Sequence, residues 1–380
     1  MKINSKLPKV GTNIFTIMSQ LAQENNAVNL SQGAPDFDCS ADLIDLVTQY
    51  MKKGRNQYAP MMGVYELREQ ISLKSENLYH STYDIDSEIT VTAGGSEAIF
   101  SALGAIINAG DEVILFDPSY DLYRPTIELF GGIPKTVQLM APDFKIKWEK
   151  VRELITDKTR LILINNPNNP AGSILEKEDF EALSQIVIDS NILILSDEVY
   201  EHIVFDGKKH LSVSQFPELK KRSFITASFG KLYHITGWKV GYCMAPKELM
   251  SEFRKVHQFN TFSVNTPIQY ALAEFMKRTE EYLILPEFFQ KKRDFLMEGL
   301  KQTKFKAIKP QGTYFLTVDY SEVSDSNDLD FAKELTIQHK VTGVPISAFY
   351  EDAFDQKLLR FCFAKEESTM EKAIENLLKV

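Results

Sequence analysis

From about residue 85 to about residue 245 the chain alternates short apolar runs with amphipathic stretches of helical spacing. Glu88-Ile89-Thr90-Val91-Thr92, Glu112-Val113-Ile114-Leu115-Phe116, Arg160-Leu161-Ile162-Leu163-Ile164 and Ile192-Leu193-Ile194-Leu195 predict strands. Each is short and rich in β-branched residues, which suits strands buried on both faces of a parallel sheet. Between them, Ser96 to Ile107 and Glu178 to Ile188 predict helices. This alternation argues an α/β domain with a largely parallel sheet. Past residue 280 the pattern changes. A long helical stretch near Glu281 to Lys301 leads to Lys306–Pro310 and the apolar run Thr313–Asp319, then a helix near Asp328 to His339 and a strand near Leu358 to Phe363. That predicts a smaller α+β domain, completed by the N-terminal segment. The expected division is residues 40–280 for the large domain, with 1–39 and 281–380 for the small one. A chain of 380 residues exceeds the roughly 250–300 at which one core usually stops growing, so two domains are expected.

Open α/β sheets bind ligands beyond the carboxyl ends of their strands, and there the chain places unusual residues. Thr92-Ala93-Gly94-Gly95-Ser96-Glu97 opens a helix after a strand, offering free N–H groups and a hydroxyl for a phosphate. It matches neither Gly-x-Gly-x-x-Gly nor Gly-x-x-x-x-Gly-Lys-Ser/Thr. Tyr120, in Asp117-Pro118-Ser119-Tyr120, could stack on a cofactor ring. Asn165-Asn166-Pro167-Asn168-Asn169-Pro170 makes a rigid turn with amides to spare. Asp197 ends an apolar run, where a carboxylate is costly unless paired, and a protonated pyridine nitrogen would pair with it; Tyr200 follows it by three residues. Ser228-Phe229-Gly230-Lys231 sets a lysine among small residues, as imine formation requires, and Lys239 follows in Gly237-Trp238-Lys239-Val240-Gly241. Each feature alone has an ordinary explanation: a glycine-rich turn, a packed tyrosine, a capping acid, a loop lysine. Together they supply phosphate donors, a stacking ring, an amide, a carboxylate and a lysine, and they specify a pyridoxal phosphate site.

Composition narrows the reading. Hydrophobic content of 44% and charged content of 25% are those of an ordinary globular enzyme. A net charge of -9 and short basic runs, Lys52-Lys53-Gly54-Arg55 and Lys220-Lys221-Arg222, argue against a nucleic-acid surface. Cys39, Cys243 and Cys362 are scattered, with neither disulfide nor metal spacing, so a reducing cytoplasmic setting and no metal are expected. No signal-like start and no apolar run near the ~18 residues of a membrane span is present.

The motifs Asn29-Leu30-Ser31-Gln32-Gly33-Ala34-Pro35-Asp36-Phe37, Asn56-Gln57-Tyr58, Asn169-Pro170-Ala171-Gly172, Asp197-Glu198-Val199-Tyr200, Ser228-Phe229-Gly230-Lys231 and Leu359-Arg360-Phe361-Cys362-Phe363 resemble those of the fold type I, pyridoxal phosphate-dependent aminotransferases of classes I and II. The likeness covers nearly the whole chain. Tyr233–Tyr242 and Val256-His257-Gln258-Phe259 look most like the bacterial methionine aminotransferase group, with the kynurenine aminotransferase / glutamine transaminase K group a close relative. The resemblance implies a large domain whose mostly parallel central sheet is flanked by helices, plus a smaller α+β domain. It implies that Lys231 holds the cofactor as a Schiff base and shuttles protons, that Asp197 pairs with the ring nitrogen, and that Asn169 and Tyr200 bind the phenolic oxygen. Tyr120 would stack on the ring; Gly95, Ser96, Ser228 and Lys239 would hold the phosphate, joined by Tyr58 of the other subunit in a homodimer. Arg360 would clamp the substrate carboxylate, beside Asn169, and Gly33 would let the N-terminal segment close.

Aspartate aminotransferases carry an arginine where this chain has Lys239, and a second one for the dicarboxylate side chain, which has no obvious counterpart here. The expected donor is therefore apolar, sulfur-containing or aromatic: methionine first, then phenylalanine, tyrosine, glutamine and kynurenine. Phe262 (also across the dimer), Phe15 and Tyr65 are candidates for lining its pocket, or for core. An alternative on the same fold is a cysteine-conjugate or cystathionine β-lyase. A ligand-sensing module of a transcription regulator is a third reading, and residues 1–28 are too few for its helix-turn-helix and linker.

Overall fold

The structure, a computed structural model, describes residues 3–380. A seven-stranded sheet forms its centre, in the order Ile89–Thr92, Gly241–Met244, Ser223–Ser228, Leu193–Asp197, Thr159–Asn165, Glu112–Asp117, Ile133–Gln138. All neighbours run parallel except Gly241–Met244, which is antiparallel to both strands beside it. The apolar runs serve two layers. Val113, Leu115, Leu161, Leu163, Leu195 and Phe224 pack with Ala98, Leu103, Met250 and Phe253 of the helices Gly94–Ile106 and Lys247–Asn260. Ile114, Phe116, Ile162, Ile164, Ile194 and Ile225 face the opposite layer. Strands buried on both faces favour apolar residues at successive positions, which is why Val113–Phe116 and Leu161–Ile164 are continuous runs, although Thr90 and Thr92 are also buried in Ile89–Thr92.

The four predicted strands lie where the apolar runs place them, within a residue or two. Three more went unmarked. Ile133–Gln138 is an edge strand with a half-exposed Pro-Lys-Thr run, Gly241–Met244 has four residues, and Ser223–Ser228 interleaves serine and threonine with its apolar residues. The helices observed at Gly94–Ile106 and Lys177–Val187 match expectation closely. The long helical stretch is two helices, Glu280–Leu283 and Leu285–Leu300. Pro286 has no N–H to continue the first helix and sits in the opening turn of the second, where none is needed.

A second sheet of four antiparallel strands follows the order Val344–Pro345, Leu358–Cys362, Phe315–Asp319, Lys306–Ile308. The N-terminal segment joins it. Val28–Asn29 pairs in parallel with Val341–Thr342, and Leu30 accepts a backbone hydrogen bond from Cys362 at 2.8 Å. Residues 30–34 thereby arrive next to the strand that carries Arg360.

Strand direction decides what meets at the functional edge. The parallel strands end at Asp117, Asn165, Asp197 and Ser228, with Asn165 beside Asp197 and Asp197 beside Thr226 in register. Because Gly241–Met244 runs the other way, its first residue lies at this same edge, pairing with both Thr92 and Ser228. Lys239, two residues upstream, is delivered there too. Position 241 has to be glycine, since a Cβ would stand 2.6 Å from the Ala227 carbonyl and 2.9 Å from the Gly95 nitrogen.

Candidate active site

A cavity of about 360 Å³ opens at this edge, between the seven-stranded sheet and the N-terminal and C-terminal segments. Of the residues singled out in the sequence, it is lined by Lys231, Asp197, Tyr200, Tyr120 and Asn169 from the strand-end loops. Gly95, Ser96, Ser228 and Lys239 line one end, and Gly33 and Arg360 the other.

At the first end, the helix Gly94–Ile106 points its N-terminus into the cavity with no side chain capping it. Its leading N–H groups are free to meet an anion. Ser228 stands across from them and accepts from the Gly230 N–H at 3.2 Å. Lys239 takes a left-handed backbone with φ of 54°, sparsely used by lysine. The turn brings its ammonium over the helix start, where a Cβ on Gly94 would lie 3.3 Å from Lys239 Nζ. One ammonium, hydroxyls and a helix N-terminus make an electropositive corner of phosphate dimensions.

Asp197 lies at the middle of the sheet edge, 3% exposed. Its carboxylate accepts from the Tyr123 hydroxyl at 2.5 Å, the Val199 N–H at 3.3 Å and the Thr226 hydroxyl at 3.5 Å. All three donors are neutral. Burial raises its pKa to about 6, against the pull of these hydrogen bonds. Tyr200 is buried, and burial pushes its hydroxyl well up as well.

Lys231 opens into the cavity opposite. Burial is the main cause that lowers its pKa to about 8, with the nearby Lys239 and Arg360 charges acting in the same direction and Cys362 and Asp197 against it. Its Nζ donates to the Tyr314 hydroxyl at 2.8 Å and the Gly33 carbonyl at 3.2 Å. Arg360, 1% exposed, donates to Asn169 Oδ1 and the Ser31 carbonyl, each at 2.8 Å. Its guanidinium lies 3.9 Å from the Phe315 ring centre and 4.9 Å from that of Phe15, so the plane is fixed by stacking. Its Nε is buried without a partner, and burial lowers its pKa to about 10.

Two singled-out residues lie elsewhere. Tyr58 is 83% exposed and Phe262 44% exposed, packed edge to face at 5.5 Å, and neither lines the cavity of its own chain. Of the candidate pocket aromatics, Phe15 lines the cavity and Tyr65 does not. Tyr123, Thr226 and Tyr314, which contact the central groups, were not marked by the sequence. Tyr123 follows the marked Tyr120 by one helical turn, a spacing that could have found it. Tyr314 sits in an apolar run that reads only as a strand start.

The chain matches the family model described as aminotransferase class I and II over residues 25–377. It is 50% identical over 374 residues to a methionine aminotransferase of Escherichia coli, covering 98% of this chain and 97% of that one. It is 34% identical over 419 residues to a kynurenine–oxoglutarate transaminase of Dictyostelium discoideum, covering 100% and 96%. A solved Escherichia coli structure, reported with a methionine aminotransferase function, superposes with a TM-score of 0.97 at 48% identity over 100% of both chains. Its solved neighbours include a second aminotransferase fold, from Mycobacterium tuberculosis, at a TM-score of 0.96 and 32% identity over 100% of both chains. The arrangement at the sheet edge and these likenesses agree: the chain belongs to the class I and II aminotransferases.

Proposed function

We propose that this aminotransferase carries pyridoxal 5′-phosphate and moves the amino group of an apolar, sulfur-containing or aromatic amino acid, methionine first, to a 2-oxo acid in a ping-pong reaction. The observation that carries the cofactor reading is Asp197, a buried carboxylate with only neutral donors in a cavity that also holds an imine-capable lysine. A buried anion of this kind has no cation in its hydrogen-bond shell, and a protonated pyridine nitrogen would supply one. The phosphate fits the corner of Gly95, Ser96, Ser228 and Lys239.

When bound, pyridoxal phosphate supplies an electron sink for the electrons left at the substrate Cα. Everything else falls to the chain. Asp197 would keep a proton on the ring nitrogen, Asn169 and Tyr200 would hold the phenolic oxygen, and Tyr120 would pack against the ring. Lys231 Nζ would hold the cofactor and, once freed by the substrate amine, would serve as the base that takes the proton from the substrate Cα. Its lowered pKa leaves a useful share of neutral amine near neutral pH. Arg360 clamps the α-carboxylate, in a plane set by Phe315 and Asn169. Phe15 and Phe315 leave the side-chain region apolar, and Arg360 is the one arginine among the described lining residues, which supports a donor other than a dicarboxylate.

In this reading residues 40–280 form the large domain, and 1–39 with 281–380 the small one. A homodimer places Tyr58 against the partner's phosphate corner and Phe262 at the partner's substrate region. The exposure of this aromatic pair supports that role. The relatives are named as transaminases, which supports transamination and gives no support to the β-lyase alternative. Among the described residues no helix is long and apolar enough to cross a membrane, and no cluster is placed to hold a metal ion.

Lys231→Ala should lower transamination by about 10⁴-fold or more and remove the visible absorbance of lysine-bound cofactor. Turnover near the parent's would refute the assignment. A screen of proteinogenic amino acids and kynurenine against several 2-oxo acids should rank methionine above aspartate, and the reverse order would sink the substrate reading.

A further inference from the structure

We propose that Tyr314 is a positioning residue for the Lys231 amine: with the Gly33 carbonyl it engages both N–H bonds of the neutral amine and leaves the lone pair facing the cavity. The inference rests on Lys231 being the base of the reaction. A neutral amine has two N–H bonds and one lone pair. Here the two N–H bonds have two acceptors, Tyr314 Oη at 2.8 Å and Gly33 O at 3.2 Å. The tyrosine hydroxyl donates its own proton to Gly33 O at 2.6 Å. Tyr314 Oη therefore has only lone pairs to offer to Lys231. A protonated Lys231 would turn its third N–H into the cavity, where the neutral amine has its lone pair.

The tyrosine is well placed to hold a direction. Tyr314 is 1% exposed, its ring packs edge to face against Tyr200 at 5.2 Å and Phe315 at 4.9 Å, and its carbonyl accepts from the Phe363 N–H at 3.0 Å. Burial keeps its hydroxyl protonated across the working pH range. Gly33 is equally fixed. A Cβ there would stand 2.7 Å from Phe315 Cζ, so only glycine lets the N-terminal segment come near enough for its carbonyl to reach both groups. Tyr314 thus ties three parts together: the lysine, the N-terminal segment at Gly33 and the strand leading into Phe315. The base is correctly aimed only when that segment is in place.

A tyrosine that merely fills space predicts something different from one that aims an amine. Tyr314→Phe keeps the ring and removes the acceptor. The charged and titratable groups around Lys231 are Asp197, Lys239, Arg360 and the Cys362 thiol, with Tyr200 alongside; the substitution leaves all of them in place and also removes the hydrogen bond between the Tyr314 and Tyr200 hydroxyls. Losing an acceptor disfavours the ammonium, which hydrogen-bonds more strongly than the amine. In cofactor-free protein, the pH midpoint for labelling Lys231 with an amine-directed reagent, read by mass spectrometry, should therefore fall by about half a unit. At the same time kcat of the holoenzyme should drop about tenfold to a hundredfold, with KM for the amino acid within about threefold. A lysine that loses its proton more easily and yet works more slowly is the signature of lost aim. Site-specific 3-fluorotyrosine at position 314, a milder change that weakens the acceptor, should move both quantities the same way by less, and serves if Tyr314→Phe does not fold. An unmoved midpoint, or kcat within about twofold of the parent, overturns the proposal. Lys231→Ala separates the two claims: an inactive Lys231→Ala with an unaffected Tyr314→Phe removes only the role of Tyr314, whereas an active Lys231→Ala removes the base itself.

Discussion

Asp197 and Glu201 stand four residues apart on the turn that leaves the central sheet, both almost wholly buried, and their acidities move in opposite directions. Burial raises Asp197 to about 6. Burial also acts to raise Glu201, but Lys74 and the hydrogen bonds it receives prevail and bring it down to about 2. The difference lies in the neighbours. Glu201 has an ammonium at 2.5 Å, from a Lys74 whose side chain is 3% exposed, and the hydroxyls of Tyr79 and Tyr242 complete its shell. Asp197 has a hydrogen-bond shell of similar quality and no cation in it. One acid was given its counter-ion by the chain. The other has none in its hydrogen-bond shell, and under the proposed function the cofactor would supply it.

Exchanging the charge at each site should break the comparison in two ways. Asp197→Asn keeps the shape and removes the anion, so a proton on the ring nitrogen is no longer held; kcat should fall by about 10³-fold or more, with the fold intact by circular dichroism. An activity loss below about tenfold would mean that Asp197 is structural. Lys74→Met should do the reverse. It strands Glu201 as an uncompensated buried charge, which costs about 3 kcal/mol of stability or more, measured by urea unfolding at neutral pH. Stability equal to the parent's would show that the pair contributes nothing.

The sequence distinguishes these two acids only in part. Asp197 is legible because it closes an apolar run, Ile192-Leu193-Ile194-Leu195, where a carboxylate is conspicuous. Glu201 has no such signal, and its partner Lys74 lies 127 residues away on the helix Tyr65–Tyr79. The same rule explains the rest. Asn169 was readable because it follows a continuous apolar run that fixes both the strand and its end, whereas Ser228 and Lys231 were readable from the Ser-Phe-Gly-Lys motif itself, although the strand before it was missed. Tyr123 and Tyr314 act through contacts that only the folded chain makes: Tyr123 Oη reaches Asp197 across 74 residues, and Tyr314 reaches Gly33 across 281. In the seven-stranded sheet, three of the four strands found were continuous apolar runs and the fourth, Ile89–Thr92, alternates with threonine; the three missed were an edge, a four-residue strand and a mixed one, in which burial is not written as hydrophobicity. Tyr58 and Phe262 lie outside the cavity of their own chain.

The smallest effect separates the two acids most finely, because it reads the missing cation without any catalysis. In cofactor-free protein, Asp197 titrates near 6 when folded and near 3.8 in the unfolded chain. Below 3.8 the group is protonated in both states and contributes nothing. Between 3.8 and 6 the unfolded chain ionises first, so the native state loses ground as pH rises. Above 6 both states are ionised and the loss is constant, at about 1–3 kcal/mol. Glu201 has the opposite sign: its stabilisation is complete above its ordinary value of 4.5 and is lost only as pH falls toward 2. Subtracting Asp197→Asn from the parent cancels Glu201 and every other group common to both. The variant's advantage, measured as the difference in unfolding free energy, should therefore grow between pH 4 and pH 6 and level off above. Restoring pyridoxal phosphate should remove the advantage, since the parent then has its cation. A pH-independent difference in the cofactor-free proteins would mean that Asp197 already has a counter-ion within the fold, and the contrast with Glu201 would fail.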